Sequence, residues 1–189
     1  MSKANKSNKA IKYRLYPNDE QKVMFAKTFG CCRFVYNQLL ALQKQRYKDG
    51  ESHLSKLKSN EFATRTLKKD YDFLKEIDKF AVSNAVFHLA DAYDRFFKKQ
   101  NHFPKFKSKR KSKKSYTTNF TKPTILICKN FLYLPKARNV KAVIHKLPKD
   151  DWKLKSVTVS QDSVGNYFAS VLFEYEQEDI PSVSKSSTN

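Results

Sequence analysis

Residues 10–17 read AIKYRLYP, a short strand stranded far from any partner. Ile11, Tyr13 and Leu15 alternate with Lys12, Arg14 and Tyr16, so the two sets face opposite sides. Pro17 has no N–H for a ladder and ends the run. The next segments with the same period of two appear only after about residue 115. A single strand leaves its backbone groups unpaired, so this one must pair with strands far downstream. Everything between must leave the sheet and return to it, and that demand limits the fold more than any other feature.

The intervening residues read as helices. Asn18 with Gln21 three positions on forms a capping box. A helix is expected to about Phe29, with Gly30 as its stop, followed by a second through CCRFVYNQLLALQKQRYKDG on Val35, Leu39 and Leu42. A weaker helical segment covers about 54–69. Asp78 then caps the strongest helix, with Val82, Ala85, Leu89, Ala92 and Phe96 as its apolar stripe to about Lys99. From there the period becomes two: SYTTNF, TILICK, FLYLP, VKAVIHK, LKSVTVSQ and NYFASVLFEYE read as strands, the last two joined by a DSVG turn. The expected fold is α+β, a helical insertion into a small β-barrel or sheet. Its parts are a basic N-terminus and first strand (1–17), the helical insertion (18–100), a basic arm with the remaining strands (101–180), and a linker, PSVSKSSTN, over 181–189.

Charge directs the functional reading. The net charge is +20, far beyond the needs of solubility, and it points to a polyanion. From Arg95 to Lys149 there is no Asp or Glu, while 17 Lys or Arg occur. Within that block FPKFKSKRKSKKSY (103–116) holds Lys105, Lys107, Lys109, Arg110, Lys111, Lys113 and Lys114, suited to phosphate neutralisation. The plain alternative is a flexible basic tail. Tyr116 is a candidate for base stacking, whereas Phe103 and Phe106 read better as anchors turned inward. No apolar run approaches the roughly 18–20 residues that span a bilayer, so a membrane is not expected as partner. Three cysteines, Cys31 and Cys32 adjacent, make no disulfide framework and no CxxC pair. A reduced, cytoplasmic protein is expected.

A catalytic constellation is not apparent. Glu174, Glu176 and Glu178 share one strand face and read as an exposed edge rather than a metal site. Asp91 and Asp94 lie on the outer side of a helix, the histidines are scattered, and three glycines make no phosphate loop. No catalytic residue, metal or cofactor is expected. FGCCRFVYN, a helix–glycine–helix, reads as scaffold rather than a groove-reading pair, because Phe34, Val35, Leu39, Leu40 and Leu42 are apolar. Tyr36 and Asn37 stay open as nucleic-acid contacts.

RLYPNDEQ, FGCCRFVYNQLL, EIDKFAVSNAVFHLADAYDRFF and FPKFKSKRKSKKSYTTNF, in this order, resemble the N-terminal half of TnpB. TnpB, also called OrfB, is a family of transposon-encoded RNA-guided nucleases. The resemblance runs from about Lys9 to Ile180. It implies a wedge-like barrel with the helices as a recognition lobe, together holding a guide RNA and reading a short duplex DNA motif beside the target. It also implies duplex contacts at Lys79, Phe80, Ser83 and Asn84, then Thr121 and Lys122. Ser83 and Lys122 depart from the Gln and Asn familiar there, so the motif read is expected to differ. The family's RuvC-like carboxylates would lie beyond PSVSKSSTN, so cleavage is expected only from a separate nuclease half in trans. The competing readings are a conventional helix-turn-helix DNA-binding transposase subunit and a remnant with general RNA binding. In each the protein sits in a prokaryotic cytoplasm, at the nucleoid.

Overall fold

A computed structural model of the chain describes residues 6–176. Glu178 and the expected linker over 181–189 lie outside them. The described chain runs β1 (Lys6–Tyr16), α1 (Asp19–Lys48), α2 (Lys56–Glu61), a π-helical turn (Phe62–Leu67), α3 (Lys68–Asp70), a 3-10 turn (Asp72–Lys75) and α4 (Lys79–Phe97). Six strands follow: β2 (Lys114–Asn119), β3 (Leu126–Cys128), β4 (Phe131–Leu134), β5 (Arg138–Val143), β6 (Lys153–Gln161) and β7 (Tyr167–Glu176).

All seven strands join one antiparallel sheet in the order β2-β6-β7-β1-β5-β4-β3. The isolated first strand is therefore the central one, pairing Tyr13 with Ala169 on β7 and Leu15 with Ala142 on β5. Ile11, Tyr13 and Leu15 are buried with Val140, Val157, Val159, Val171 and Phe173, as the alternation requires. The Tyr13 hydroxyl donates to the Lys146 carbonyl at 2.7 Å, so its burial does not leave it unpaired. The DSVG turn is present: Gly165 has φ +95, and Asp162 Oδ1 accepts from the Val164 and Asn166 amides.

Two expectations need correction. The sheet is open: its edge strands are β2 and β3, and among the described residues no ladder joins them into a barrel or wedge. At the β2 edge the Asn84 side chain of α4 donates to the Thr117 carbonyl at 3.0 Å, so a helix covers the strand that closure would use. β3, at the other edge, is only three residues long, a short template for pairing. Gly30 does not end a helix either. It lies inside α1, one helix of 30 residues. A helical glycine costs about 1 kcal/mol against alanine, less than the burial of Phe25, Phe29, Cys31, Cys32 and Val35 around it can return. The stop comes at Asp49 and at Gly50, with φ +73.

At its start α1 is held by the expected capping box, Asn18 Oδ1 accepting from the Gln21 amide at 2.9 Å and Gln21 Oε1 accepting from the Asn18 amide at 3.0 Å. Gln21 also donates to the carbonyls of Ala137 and Asn139. The insertion is thus tied to the β4–β5 connection from its first turn. Phe25 and Phe29 lie against Tyr116, and Phe25 against Tyr167, which docks α1 on the sheet.

Candidate nucleic-acid interface

The basic arm is an ordered element. The Asn37 side chain on α1 grips the Lys107 backbone at both groups: Oδ1 accepts from the Lys107 amide at 2.8 Å and Nδ2 donates to its carbonyl at 2.9 Å. Beyond it, residues 108–112 close a turn. Ser112 Oγ accepts from the Ser108 amide, Ser108 Oγ accepts from the Lys111 amide, and the Ser112 amide donates to the Ser108 carbonyl. Two hydroxyls thus satisfy backbone groups that no sheet or helix pairs. Lys105, Lys109, Arg110, Lys111, Lys113 and Lys114 are exposed along this path, with Lys114 Nζ 3.1 Å from Gln161 Oε1.

Lys107 differs from its neighbours. Its ammonium lies 4.0 Å from the centre of the Tyr36 ring, and burial holds its pKa below the ordinary lysine value. Tyr36 and Asn37, open as nucleic-acid contacts by sequence, therefore fix the arm to α1.

The aromatics divide differently from expectation. Tyr116 is 4% exposed, covered by Phe25 and Phe29, and burial pushes its hydroxyl pKa up; no ring face is free for a base. Phe103 packs edge-on against Tyr93 and Phe96 but stays 39% exposed. Phe106 is 53% exposed, with Lys44 Nζ 4.8 Å from its centre, so it does not turn inward. Alternation explains Tyr116: it sits on the core face of β2 with Thr118.

The first turns of α4 lie beside the end of β2, from which the chain continues to Thr121 and Lys122. Asp78 stands at the helix start but makes no capping bond. Its carboxylate instead accepts from the buried Thr118 hydroxyl at 2.6 Å. Lys79 is exposed, its ammonium 5.0 Å from the centre of Phe80, and Phe80 and Ser83 are half-buried. Asn84 Nδ2 lies within 3.2 Å of acceptors on Phe80, Thr117 and Asn119. Its donors are spent on holding α4 to β2, and reading a base would break those bonds. Thr121 and Lys122 are exposed, Thr121 in a turn closed by the Thr124 hydroxyl.

Sequence reasoning missed Lys68 and Lys136 here. Lys68 is held below the ordinary lysine value by burial, with Asp78 opposing that shift and Lys79 and Lys136 adding to it. Neither lies in the acid-free run's conspicuous strip, and only the folded chain, in which the charges of Lys79 and Lys136 act on Lys68, reveals them. Among the described residues no three His, Cys, Asp or Glu converge as a metal-holding group. Glu174 instead pairs with Lys6 and Lys155. No helix is long and apolar enough to cross a membrane, among the same residues.

A family model described as the helix-turn-helix domain of OrfB from IS605 matches residues 5–52. A candidate RNA-guided DNA endonuclease of Streptomyces pristinaespiralis is 32% identical over 168 residues, covering 88% of this chain and 41% of its own. The chain belongs to the OrfB, or TnpB, family. A second relative, the candidate RNA-guided DNA endonuclease InsQ of Escherichia coli K12, is 29% identical over 182 residues, covering 88% of this chain and 40% of its own. The chain thus spans about two fifths of the length of these OrfB relatives. The virulence protein VsdF of Salmonella dublin is 32% identical over 111 residues, 53% of this chain and 93% of its own. Where the OrfB family model has a helix-turn-helix, this chain has β1 and the uninterrupted α1.

Proposed function

We propose that this chain is the nucleic-acid-binding portion of a TnpB-like transposon protein. It holds a guide RNA along the basic arm and reads a short duplex DNA motif beside the target. The observation that carries this reading is the arm itself: seven cations on a backbone fixed by Asn37, Ser108 and Ser112 rather than a loose tail. Pre-ordered cations meet a phosphate backbone without the entropy cost of ordering a tail. Lys79, Phe80, Ser83, Thr121 and Lys122 form the duplex-reading edge, with Lys68 and Lys136 adding positive charge near Lys79. Asn84 supports that edge from behind. In this reading residues 18–100 act as the recognition lobe, and strand cleavage belongs to a nuclease half outside residues 6–176.

The test is to purify the protein from its host and sequence the RNA that comes with it. One enriched RNA, displaced on replacing Lys105, Lys109 and Arg110 with Gln, is expected. For a single strand the salt slope should then flatten by about 0.7 per contact removed. Specific duplex binding that needs no RNA would instead favour the conventional transposase subunit, and a smear of abundant RNAs the general binder.

A further inference from the structure

Between α1, α4 and the chain entering β2 lies a recess of about 40 Å³. Arg33 of α1, His88 of α4, Lys107 of the arm, and Lys113 and Lys114 line it, with no carboxylate in its walls. Its volume exceeds the roughly 10–15 Å³ that one water needs, and suits a compact group of a few heavy atoms.

The recess holds an electrostatic tension. Lys107 is half-buried, and among the described residues no acid forms an ion pair with it; its ammonium lies 4.0 Å from the centre of the Tyr36 ring, and the residue lines the recess beside Cys32 and His88. Charge taken from water without a counter-ion is costly, and the other charged side chains along the same walls, Arg33, Lys113 and Lys114, supply none. An anion of the right size would relieve it. We propose that this recess seats one phosphate group of a nucleic-acid strand, the guanidinium of Arg33 and the ammonium of Lys107 taking its oxygens. The proposal rests on the nucleic-acid reading above and narrows it to the inner side of the arm, where Lys107, Lys113 and Lys114 share a recess with Arg33 of α1. The arm's outer cations engage a backbone loosely, whereas the recess sets the register of the strand by holding one phosphate. Guanidinium forks and lysine point charges are the groups that recognise phosphate oxygens.

His88 provides the reporter. Crowding by protein lowers its imidazole pKa, the charge of Lys107 lowers it further, and Asp91 acts the other way. A phosphate beside the ring adds negative charge and must raise that pKa. The experiment follows the His88 ring by NMR through a pH titration, in inorganic phosphate and in chloride at equal ionic strength. A saturable rise with phosphate is expected, with apparent affinity at least tenfold weaker in both Arg33→Gln and Lys107→Met. Lys107→Met keeps a stem against Tyr36, and Arg33→Gln lies away from the Asn37 bonds, so one folded variant suffices. No saturable rise, or the same rise in the variants, overturns the proposal. A trinucleotide with a 5′-phosphate compared with its 5′-hydroxyl form separates the sources: equal response means an internal phosphodiester, response to the first alone a terminal monoester. Salt-dependent RNA binding without any phosphate response removes the recess and leaves the nucleic-acid reading standing. A phosphate response without RNA binding leaves a bare anion site and overturns both the nucleic-acid reading and the seating of a strand there.

Discussion

The Asn37 side chain and the Lys107 backbone, 70 residues apart, exchange two hydrogen bonds of 2.8 and 2.9 Å. This pair turns the basic arm from a tail into part of the α1 surface. Each such bond contributes about 0.5–1.5 kcal/mol net, so Asn37→Ala should cost about 1–3 kcal/mol in urea unfolding. The Lys107 amide should lose hydrogen-exchange protection, and RNA affinity should fall although no cation has changed. Unaltered stability and protection together would rule the clamp out.

Thr118, fully buried, and the Asp78 carboxylate make a second cross-element bond. Thr118→Val preserves the shape and removes the donor, leaving a buried carboxylate short of a partner at a cost of about 1–3 kcal/mol. Thr118→Ser keeps the donor and loses one methyl, about 0.8 kcal/mol. Thermal unfolding should rank Val below Ser; the reverse order would mean that packing, not the hydrogen bond, holds α4 to β2.

Gly30 offers a direct test of the continuous helix. Nothing lies within 4 Å of a Cβ built there, so Gly30→Ala should stabilise by about 0.4–1 kcal/mol. In a helix-turn-helix with a left-handed glycine the same change would destabilise. The sign of the shift in unfolding midpoint therefore separates the two geometries.

Cysteine reactivity should follow burial. Burial pushes the Cys32 thiol up to about 12, and Cys31 also rises, first through burial and then through Glu76. Cys128 is half-exposed on the edge strand β3. Iodoacetamide at pH 8 should label Cys128 first and leave Cys31 and Cys32 until the protein unfolds. The Cys32 thiol binds its proton more tightly when folded, so its contribution is complete below pH 9 and fades as pH rises toward 12. Labelling of Cys32 in the folded protein at the Cys128 rate would contradict the packing of α1 on α4.

Much of the fold was legible because its signals are local. Alternation marked all seven strands, Asn18 and Gln21 marked the start of α1, and Asp162 to Gly165 marked the last hairpin. Those features depend on neighbours two to four residues away. The site was less legible. Lys105, Lys109, Arg110 and Lys111 could be read as exposed cations, but the burial of Tyr116 and the work of Asn84 could not. A base-reading asparagine and one that holds a helix to a strand edge have the same sequence.

By itself, then, the sequence determined that a basic chain of 189 residues would form strand, helices and strands, with an acid-free arm between the last helix and the sheet. Local periodicity and charge suffice for that, since both are properties of short segments. Only the tertiary structure decided that β1 takes the centre of an open sheet, that α1 passes unbroken through Gly30, and that Asn37 pins the arm. Each of those outcomes depends on partners brought together across tens of residues, where burial and hydrogen-bond satisfaction outweigh local preference.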